Sequence, residues 1–551
     1  MTNKDLANLI FPNITKTVED YEKMYPERNL ESGAIVTRYA PSPTGLPHMG
    51  NLLSCFIAKS FARQTNGVFF LRIEDTDTLR TVENGTSKIL DVLEKFDITF
   101  DEGMINDTDE KGSYGPYLQS SRKEIYQTYV KWLIEQGLAY PSFASKEELD
   151  EIRSYQESTK QRLGYYGRWA KDRHIPVEEA IERIKNGEKF VIRMKSPGDF
   201  YKNIVVEDLI KGKIEMPEND IDEVILKQDG LPTYHFAHAI DDHLMRTTHV
   251  IRGDEWLSSV PKHIQIFKLL GFKVPKYAHL APLLKDDNGV KRKISKRKDP
   301  EAGLSYYHEQ GIPKEAVMLY LATITNSNFE AWYDCNKGSS IEDFKFEFKK
   351  IGSSGGAIYD LDKLNNISRN YISTMKAIDV YNETLNWSKL YDVDFYELLT
   401  KYKEYSINIL NIEREQKKPR KDYAKYSDVF GQIWYMFDEI FDNKELEYDF
   451  KNITDKDEIG NIVKTYIEEF YDINDSKDEW FNKIKLLCDK LGYASDMKEY
   501  KANPENYKGN VADVSTVIRV CLTTSSMTPD LYELLKLIGK ERIEKRFSKF
   551  Y

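Results

Sequence analysis

Ala34-Ile-Val-Thr-Arg-Tyr-Ala-Pro-Ser-Pro-Thr-Gly-Leu-Pro-His-Met-Gly-Asn51 passes from an apolar, strand-like run into a loop rich in proline and glycine. Leu52, Leu53, Phe56, Ile57 and Phe61 then recur at helical spacing, and Gly67 ends the segment. Val68-Phe-Phe-Leu-Arg-Ile73 reads as a second buried strand. Strand, helix and strand within about forty residues is the size of a right-handed βαβ unit, so a parallel sheet is expected. A loop that opens a helix is a ready anion site, because the first amide groups lack partners and the dipole favours negative charge. Gly45 and Gly50 allow close backbone approach, Pro41, Pro43 and Pro47 stiffen the loop, and His48 offers a donor. The Gly45-x-x-x-x-Gly50 spacing matches a phosphate-binding P-loop, but Asn51 stands where that motif requires lysine, so the P-loop reading fails.

At 551 residues the chain should form several domains, and 40% hydrophobic residues suffice for packed cores. A formal charge of −11 argues against coating nucleic acid through a general positive field, while leaving room for local phosphate contacts. Four scattered cysteines fit a reducing compartment, and no run approaches a membrane span, so a soluble cytoplasmic protein is expected. Helical patterns mark Ile89–Phe96 and Ser121–Gln136. From Tyr140 to Asp222 the chain turns polar and irregular, and strands return at Val224–Lys227 and His249–Arg252. Past residue 300 helical patterns dominate.

Lys291-Arg-Lys-Ile-Ser-Lys-Arg-Lys298 packs six cations around one hydroxyl. By composition alone this is a solvated run or a polyanion patch. The pairing with the first loop changes that. Arg38-Tyr-Ala-Pro-Ser-Pro-Thr-Gly45 with His48-Met-Gly-Asn51 resembles the nucleotide-binding signature of the glutamyl-tRNA synthetases of bacterial type, class I enzymes. Lys293-Ile-Ser-Lys-Arg297 resembles the mobile lysine loop of the same class. Arg72-Ile-Glu-Asp-Thr-Asp77, Pro232-Thr-Tyr-His-Phe-Ala237 and Ile251-Arg-Gly-Asp-Glu-Trp256 match further motifs of that family. The resemblance is strong over 34–300 and weaker but continuous to the end.

The resemblance implies a Rossmann-like α/β catalytic domain in two parts, 30–139 and 223–285. An inserted α+β domain at 140–222 would receive the acceptor end of tRNA. A stem-contact region at 286–375 would carry the lysine loop, and an all-α anticodon-binding half would occupy 376–551. His48, Lys293 and Lys296 are the implied catalytic residues. ATP would be held by Pro43, Thr44, Gly45, His48, Gly50, Asn51, Glu255, Trp256, Ser295 and Lys296. Glutamate presents two carboxylates and one ammonium, so its pocket wants arginine and an acid. Arg38, Ser42, Glu74, Tyr234, His238 and Arg252 are the implied glutamate-binding set, with Glu74 on the amine.

The implied substrates are L-glutamate, ATP with Mg2+, and tRNA-Glu, with tRNA-Gln as a second acceptor within the family's range. A monomer is expected. Some relatives carry zinc in the inserted domain through cysteines and a histidine; residues 100–173 contain neither, so no zinc is expected. His235, His238, His243 and His249 with Asp241 and Asp242 match no common zinc spacing. Arg414, Lys417, Lys418, Arg420 and Lys421, beside Tyr423 and Tyr426, combine cations and aromatics of the kind single-stranded RNA loops require. A solvated helix face is the equal alternative for that segment. Glutaminyl-tRNA synthetase is the nearest rival, although its anticodon region should be a β-barrel and strand periodicity is scarce here after residue 380. A truncated glutamyl-transferring tRNA-modifying enzyme lacks a C-terminal half of this length. A non-catalytic nucleotide- or RNA-binding relative is the third alternative.

Overall fold

The computed structural model describes residues 1–77, 82–352 and 356–551. Two short helices, Asn3–Ile10 and Val18–Met24, precede the expected βαβ unit. β1 (Val36–Tyr39) leads through the proline loop into α1 (Met49–Arg63), and β2 (Val68–Leu71) follows, parallel to β1 with Val36 opposite Val68. α1 forms because its apolar residues share one stripe; Leu52, Phe56 and Phe61 are buried, each worth roughly 1.5–3 kcal/mol. β3 (Glu102–Met104) extends the sheet beside β2, again parallel.

The chain divides into two compact units, Met1–Tyr306 with Met318–Asp360, and Tyr307–Val317 with Leu361–Tyr551. The helical half expected from 376 therefore begins at Leu361 and takes in an earlier segment. Within the first unit, β4 (Ala139–Ser142), β5 (Val191–Met194) and β8 (Val224–Leu226) form an antiparallel three-stranded sheet, so the segment expected as an insertion, 140–222, shares this sheet with a strand beyond it. The hairpin of β6 (Asn203–Asp208) and β7 (Gly212–Pro217) does not stay within the insertion. β6 pairs with β10 (Lys276–Leu280) through Asp208 and Tyr277, and β10 lies parallel to β9 (His249–Gly253). β9 in turn meets β1 through Thr248, whose amide donates to Val36 O at 2.9 Å.

β1 is thus flanked by β2 on one side and by the β9 end of the second sheet on the other. This is the place where strand order reverses and ligands gather at the carboxyl ends of open α/β sheets. α2 (Tyr234–Leu244) and a hairpin of β11 (Leu283–Asp287) and β12 (Val290–Lys293) complete the surroundings.

In the second unit, residues from Leu361 onward form helices, with one isolated bridge between Ala494 and Asn510. Their apolar stripes meet in one core that includes Val380, Leu399, Val429, Ile484, Ile518 and Leu534. Among the described residues no helix is long and apolar enough to cross a membrane.

Candidate active site

A cavity of about 510 Å³ opens at the carboxyl ends of β1, β2, β9 and β10. The proline- and glycine-rich loop before α1, expected to hold phosphates, forms one wall with Ser42, Thr44, His48, Gly50 and Asn51. Arg38, Glu74, Tyr234 and Arg252 form the floor, and Glu255, Trp256 and Lys293 close the far side. Five of the six residues expected to bind glutamate therefore share one space.

The sixth does not. His238 lies on α2 beneath the floor and is fully buried, outside the residues that line the cavity. Its Nδ1 is 2.6 Å from Asp242 Oδ2 and its Nε2 is 3.1 Å from the Tyr277 hydroxyl. Tyr234, one turn earlier, lies over it with ring centroids 6.0 Å apart and planes nearly parallel. Both residues occupy one face of α2, and the outer one covers the inner. Burial pushes the His238 imidazole down to about 4 against the pull of Asp242, so it is neutral.

His48 caps α1. Its Nδ1 accepts the amide of Asn51 at 3.2 Å, while Asn51 Oδ1 accepts the amide of His48 at 3.0 Å. This reciprocal box does the work usually done by Ser and Glu. Burial first, then Lys296 and Lys293, holds the His48 pKa below its ordinary value. A neutral ring that accepts at Nδ1 carries its hydrogen on Nε2, a donor suited to a phosphate oxygen. Gly50 is needed for that packing, because a Cβ there would sit 2.9 Å from His48 Cε1.

Beneath the floor lies a network that the motif reading did not find. Asp242 receives Arg38 Nε at 3.2 Å, Arg72 at 2.8 Å and Thr247 at 3.2 Å. Burial would raise its pKa, but Arg38, Arg72 and His238 outweigh burial and hold it well below the carboxylate range. Asp241, its neighbour, takes Arg122 at 2.7 Å, Gln119 at 2.9 Å and the Tyr126 hydroxyl at 2.9 Å. Arg72 also reaches Glu74 at 3.1 Å. Burial raises the Glu74 pKa, with Arg72 and Arg38 opposing it. Arg38 spends Nε on Asp242, and among the described residues its Nη groups donate to no other side chain. The signal for this network was available in the sequence: two adjacent aspartates in a helix whose other residues between Phe236 and Leu244 are apolar or histidine.

The lysine loop hangs from Asp299, which is 1% exposed and takes both Nη groups of Arg292 at 2.7 Å and the Ser295 amide at 2.9 Å. Lys293 reaches the cavity wall. Lys296 donates instead to the carbonyl of Leu46 in the phosphate loop, and burial lowers its pKa. Pro43, Gly45, Ser295 and Lys296 lie outside the cavity lining. The histidines weighed as metal ligands diverge. His243 stacks on Phe272 and bonds Glu22 at 2.7 Å, His249 stacks on Phe348, and His235 faces His263.

In the second unit the segment at 414–421 divides. Arg414 is buried and donates to the carbonyls of Leu410 at 2.8 Å, Ile372 at 2.7 Å and Met375 at 3.2 Å. It ties helices together, which corrects its reading as an RNA contact. Tyr423 and Tyr426 belong to the core, so they offer no stacking platform. Arg420 pairs with Asp422 and Glu413. Lys417, Lys418 and Lys421 are exposed.

Residues 34–366 match the model of class I tRNA synthetases (E and Q), catalytic domain, and residues 395–551 match an anticodon binding domain. The chain is 48% identical over 551 residues, the full length of both, to a protein named glutamate–tRNA ligase from Clostridium perfringens (strain SM101 / Type A). It is 48% identical, again over the full length of both, to one of the same name from Acetivibrio thermocellus. Among solved structures, a glutamate tRNA ligase from Elizabethkingia meningosepticum in complex with its amino acid aligns with a TM-score of 0.75 at 26% identity, covering 94% of this chain and 100% of that one. With its cavity at the strand ends, its His48 and lysine loops and these matches over its whole length, the chain belongs to the class I tRNA synthetases of the glutamate and glutamine (E and Q) family.

Proposed function

We propose that this chain is a glutamate–tRNA ligase: it activates L-glutamate with ATP and transfers the glutamyl group to the 3′ end of tRNA-Glu. The observation that carries this reading is the single cavity in which Arg38, Glu74, Tyr234 and Arg252 lie beside the phosphate loop with His48 and Lys293.

In the first step a glutamate α-carboxylate oxygen bonds to the α-phosphorus of ATP as the bond to pyrophosphate breaks. No side-chain nucleophile takes part, so the residues act by alignment and by holding charge. Arg38 and Arg252 bind the substrate carboxylates with Tyr234 and Ser42, and Glu74 receives the ammonium. His48 Nε2–H and the first amides of α1 take phosphate oxygens. Lys293 and Lys296 stabilise the charge that grows on the phosphates as pyrophosphate departs. Magnesium enters with ATP as the counter-ion of its phosphates. In the second step the terminal ribose hydroxyl oxygen attacks the acyl carbon and AMP leaves.

Glutamine in place of glutamate would remove one carboxylate and leave an arginine without its partner. The helical second unit also departs from the β-barrel expected of the glutaminyl relatives. The four cysteines are free thiols, which suits work in a reducing compartment such as the cytoplasm. The test is aminoacylation of purified tRNA-Glu and tRNA-Gln with each amino acid. Glutamate on tRNA-Glu is the expected product, and charging with glutamine alone would overturn the reading.

A further inference from the structure

Arg252 enters the cavity from the end of β9 with its guanidinium gripped on two edges. Nε donates to His279 Nε2 at 3.1 Å, and Nη2 lies 3.1 Å from His263 Nδ1. Nη1 is left toward the Tyr234 hydroxyl at 3.4 Å and the cavity. Behind His279, its Nδ1 lies 2.7 Å from Asp208 Oδ2. An imidazole that accepts at Nε2 must carry its hydrogen on Nδ1, and the carboxylate behind it selects that tautomer.

Asp208 is the last residue of β6 and is buried, as is His279. Its Oδ1 accepts the amides of Ile210 at 2.9 Å and Lys211 at 2.8 Å, and Oδ2 also faces the His279 amide at 3.1 Å. Burial would raise the Asp208 pKa, but the bonds from His279, Lys211 and Ile210 outweigh it and keep the group ionised. Burial pushes His279 down against the pull of Asp208, so the ring is neutral.

We propose that Asp208 and His279 form a positioning pair that aims Arg252 at the substrate carboxylate while leaving its charge uncompensated. The contrast with Arg38 and Arg72 carries the point. Both of those donate directly to Asp242, which shares their charge. Among the described residues Arg252 has no ion-pair partner; a neutral ring stands between it and Asp208. Orientation is transmitted and positive charge is not cancelled, which matters most in a cavity of low dielectric. Neither Asp208 nor His279 lines the cavity, so both act through Arg252. The pair also reaches glutamate recognition from the hairpin that the insertion contributes.

This inference rests on the cavity being a glutamate site. Its test is tRNA-supported, glutamate-dependent ATP–pyrophosphate exchange by the full chain. Asp208→Asn can still accept the Ile210 and Lys211 amides through Oδ1. Its amide nitrogen then faces His279 Nδ1 and drives the ring to the Nε2–H tautomer, a donor set against the Arg252 Nε–H. The glutamate KM should rise tenfold or more with the ATP KM within twofold. His279→Gln, whose carboxamide oxygen accepts without a tautomer to select, should raise the glutamate KM less. Adding Asp208→Asn to it should change little further, since the two act as a unit. Equal rises in both KM values, or effects that multiply in the double variant, overturn the pair. So does an unchanged glutamate KM in Asp208→Asn where Arg252→Gln raises it. A wild-type chain that does not charge tRNA with glutamate overturns the reading of the site instead.

Discussion

His48 and Asn51 cap each other: the Asn51 side chain accepts the His48 amide at 3.0 Å, and the His48 ring accepts the Asn51 amide at 3.2 Å. The Asn51 backbone amide therefore fixes the His48 tautomer, while the Asn51 side chain holds the His48 backbone. Asn51→Ala removes the acceptor of the His48 amide but keeps the backbone N–H that meets the ring, so it should cost about 1 kcal/mol of stability and slow ATP–pyrophosphate exchange only as far as the loosened His48 backbone shifts the ring. Asn51→Asp separates the two effects. It keeps an acceptor at a helix start, where negative charge is favourable, so the melting temperature should hold. It also sets a carboxylate against the ATP phosphates, so the ATP KM should rise several-fold. An unchanged ATP KM in Asn51→Asp would remove this position from the nucleotide site.

Arg38 serves the floor and the network beneath it. Removing it leaves Asp242, fully buried, with Arg72 as its remaining arginine, so the cost should stay below the about 3–5 kcal/mol of a buried charge left unpaired. Arg38→Ala should lower the melting temperature and raise the glutamate KM together. Arg38→Lys keeps a charge near Asp242 but loses the two-pronged geometry a carboxylate needs. It should recover most of the stability and little of the glutamate affinity, as read by thermal unfolding beside exchange kinetics. Recovery of both would place Arg38 in the framework alone.

Lys296 stands on the Leu46 carbonyl, at the edge of the phosphate loop and outside the cavity lining. A cation parked there is one loop movement from the phosphates. Lys296→Ala should slow adenylate formation by about 10²–10³-fold while changing glutamate affinity little. Single-turnover adenylate formation beside equilibrium glutamate binding makes the comparison. Equal losses in the two would refute a role confined to the reacting phosphates.

What could be read from the sequence was what is local. Each strand and helix of the βαβ unit, the loop with His48 and the lysine loop declare themselves within about fifteen residues, through periodicity or a run of one residue type. Depth could not be read the same way. α2 is buried on nearly every side, so its spacing does not tell Tyr234, which lines the cavity, from His238, which lies beneath it. Arg414 and Tyr423 looked like a surface because they neighbour lysines, and only the packing of distant helices shows them as interior. The Asp208–His279 contact joins residues 71 positions apart, beyond any window of spacing.

Acid should weaken the fold before it protonates ordinary carboxylates. His48, His235, His238, His243, His249, His263 and His279 all sit below their usual pKa, with burial the largest cause for each. For His235, His238 and His249 the value falls to about 4. Unfolding returns each to about 6.5, so between those values the unfolded chain binds more protons. Stability is therefore full above about pH 6.5 and is lost as pH falls, by up to about 1.4 kcal/mol per unit for each fully shifted ring. Glu74 and Glu383, whose pKa values burial raises, oppose this. The urea midpoint should drop steadily from pH 7 to 5. A flat midpoint over that range would mean that these rings ionise inside the folded chain.

The exposed lysines of the 414–421 segment can be separated from its buried arginine. Lys417, Lys418 and Lys421 present mobile charges with no core role, whereas Arg414 holds three carbonyls inside the second unit. Replacing the three lysines by alanine should leave thermal unfolding almost unchanged, since surface charges contribute little to stability. If they contact tRNA phosphates, the tRNA KM should rise and its dependence on salt should flatten, because fewer counter-ions are released on binding. Arg414→Ala should do the reverse, lowering the melting temperature by leaving buried carbonyls without a donor. Filter binding of tRNA-Glu at two salt concentrations, beside calorimetry, distinguishes the two. An unchanged salt slope in the triple variant would move the anticodon contact to another face of the helical unit.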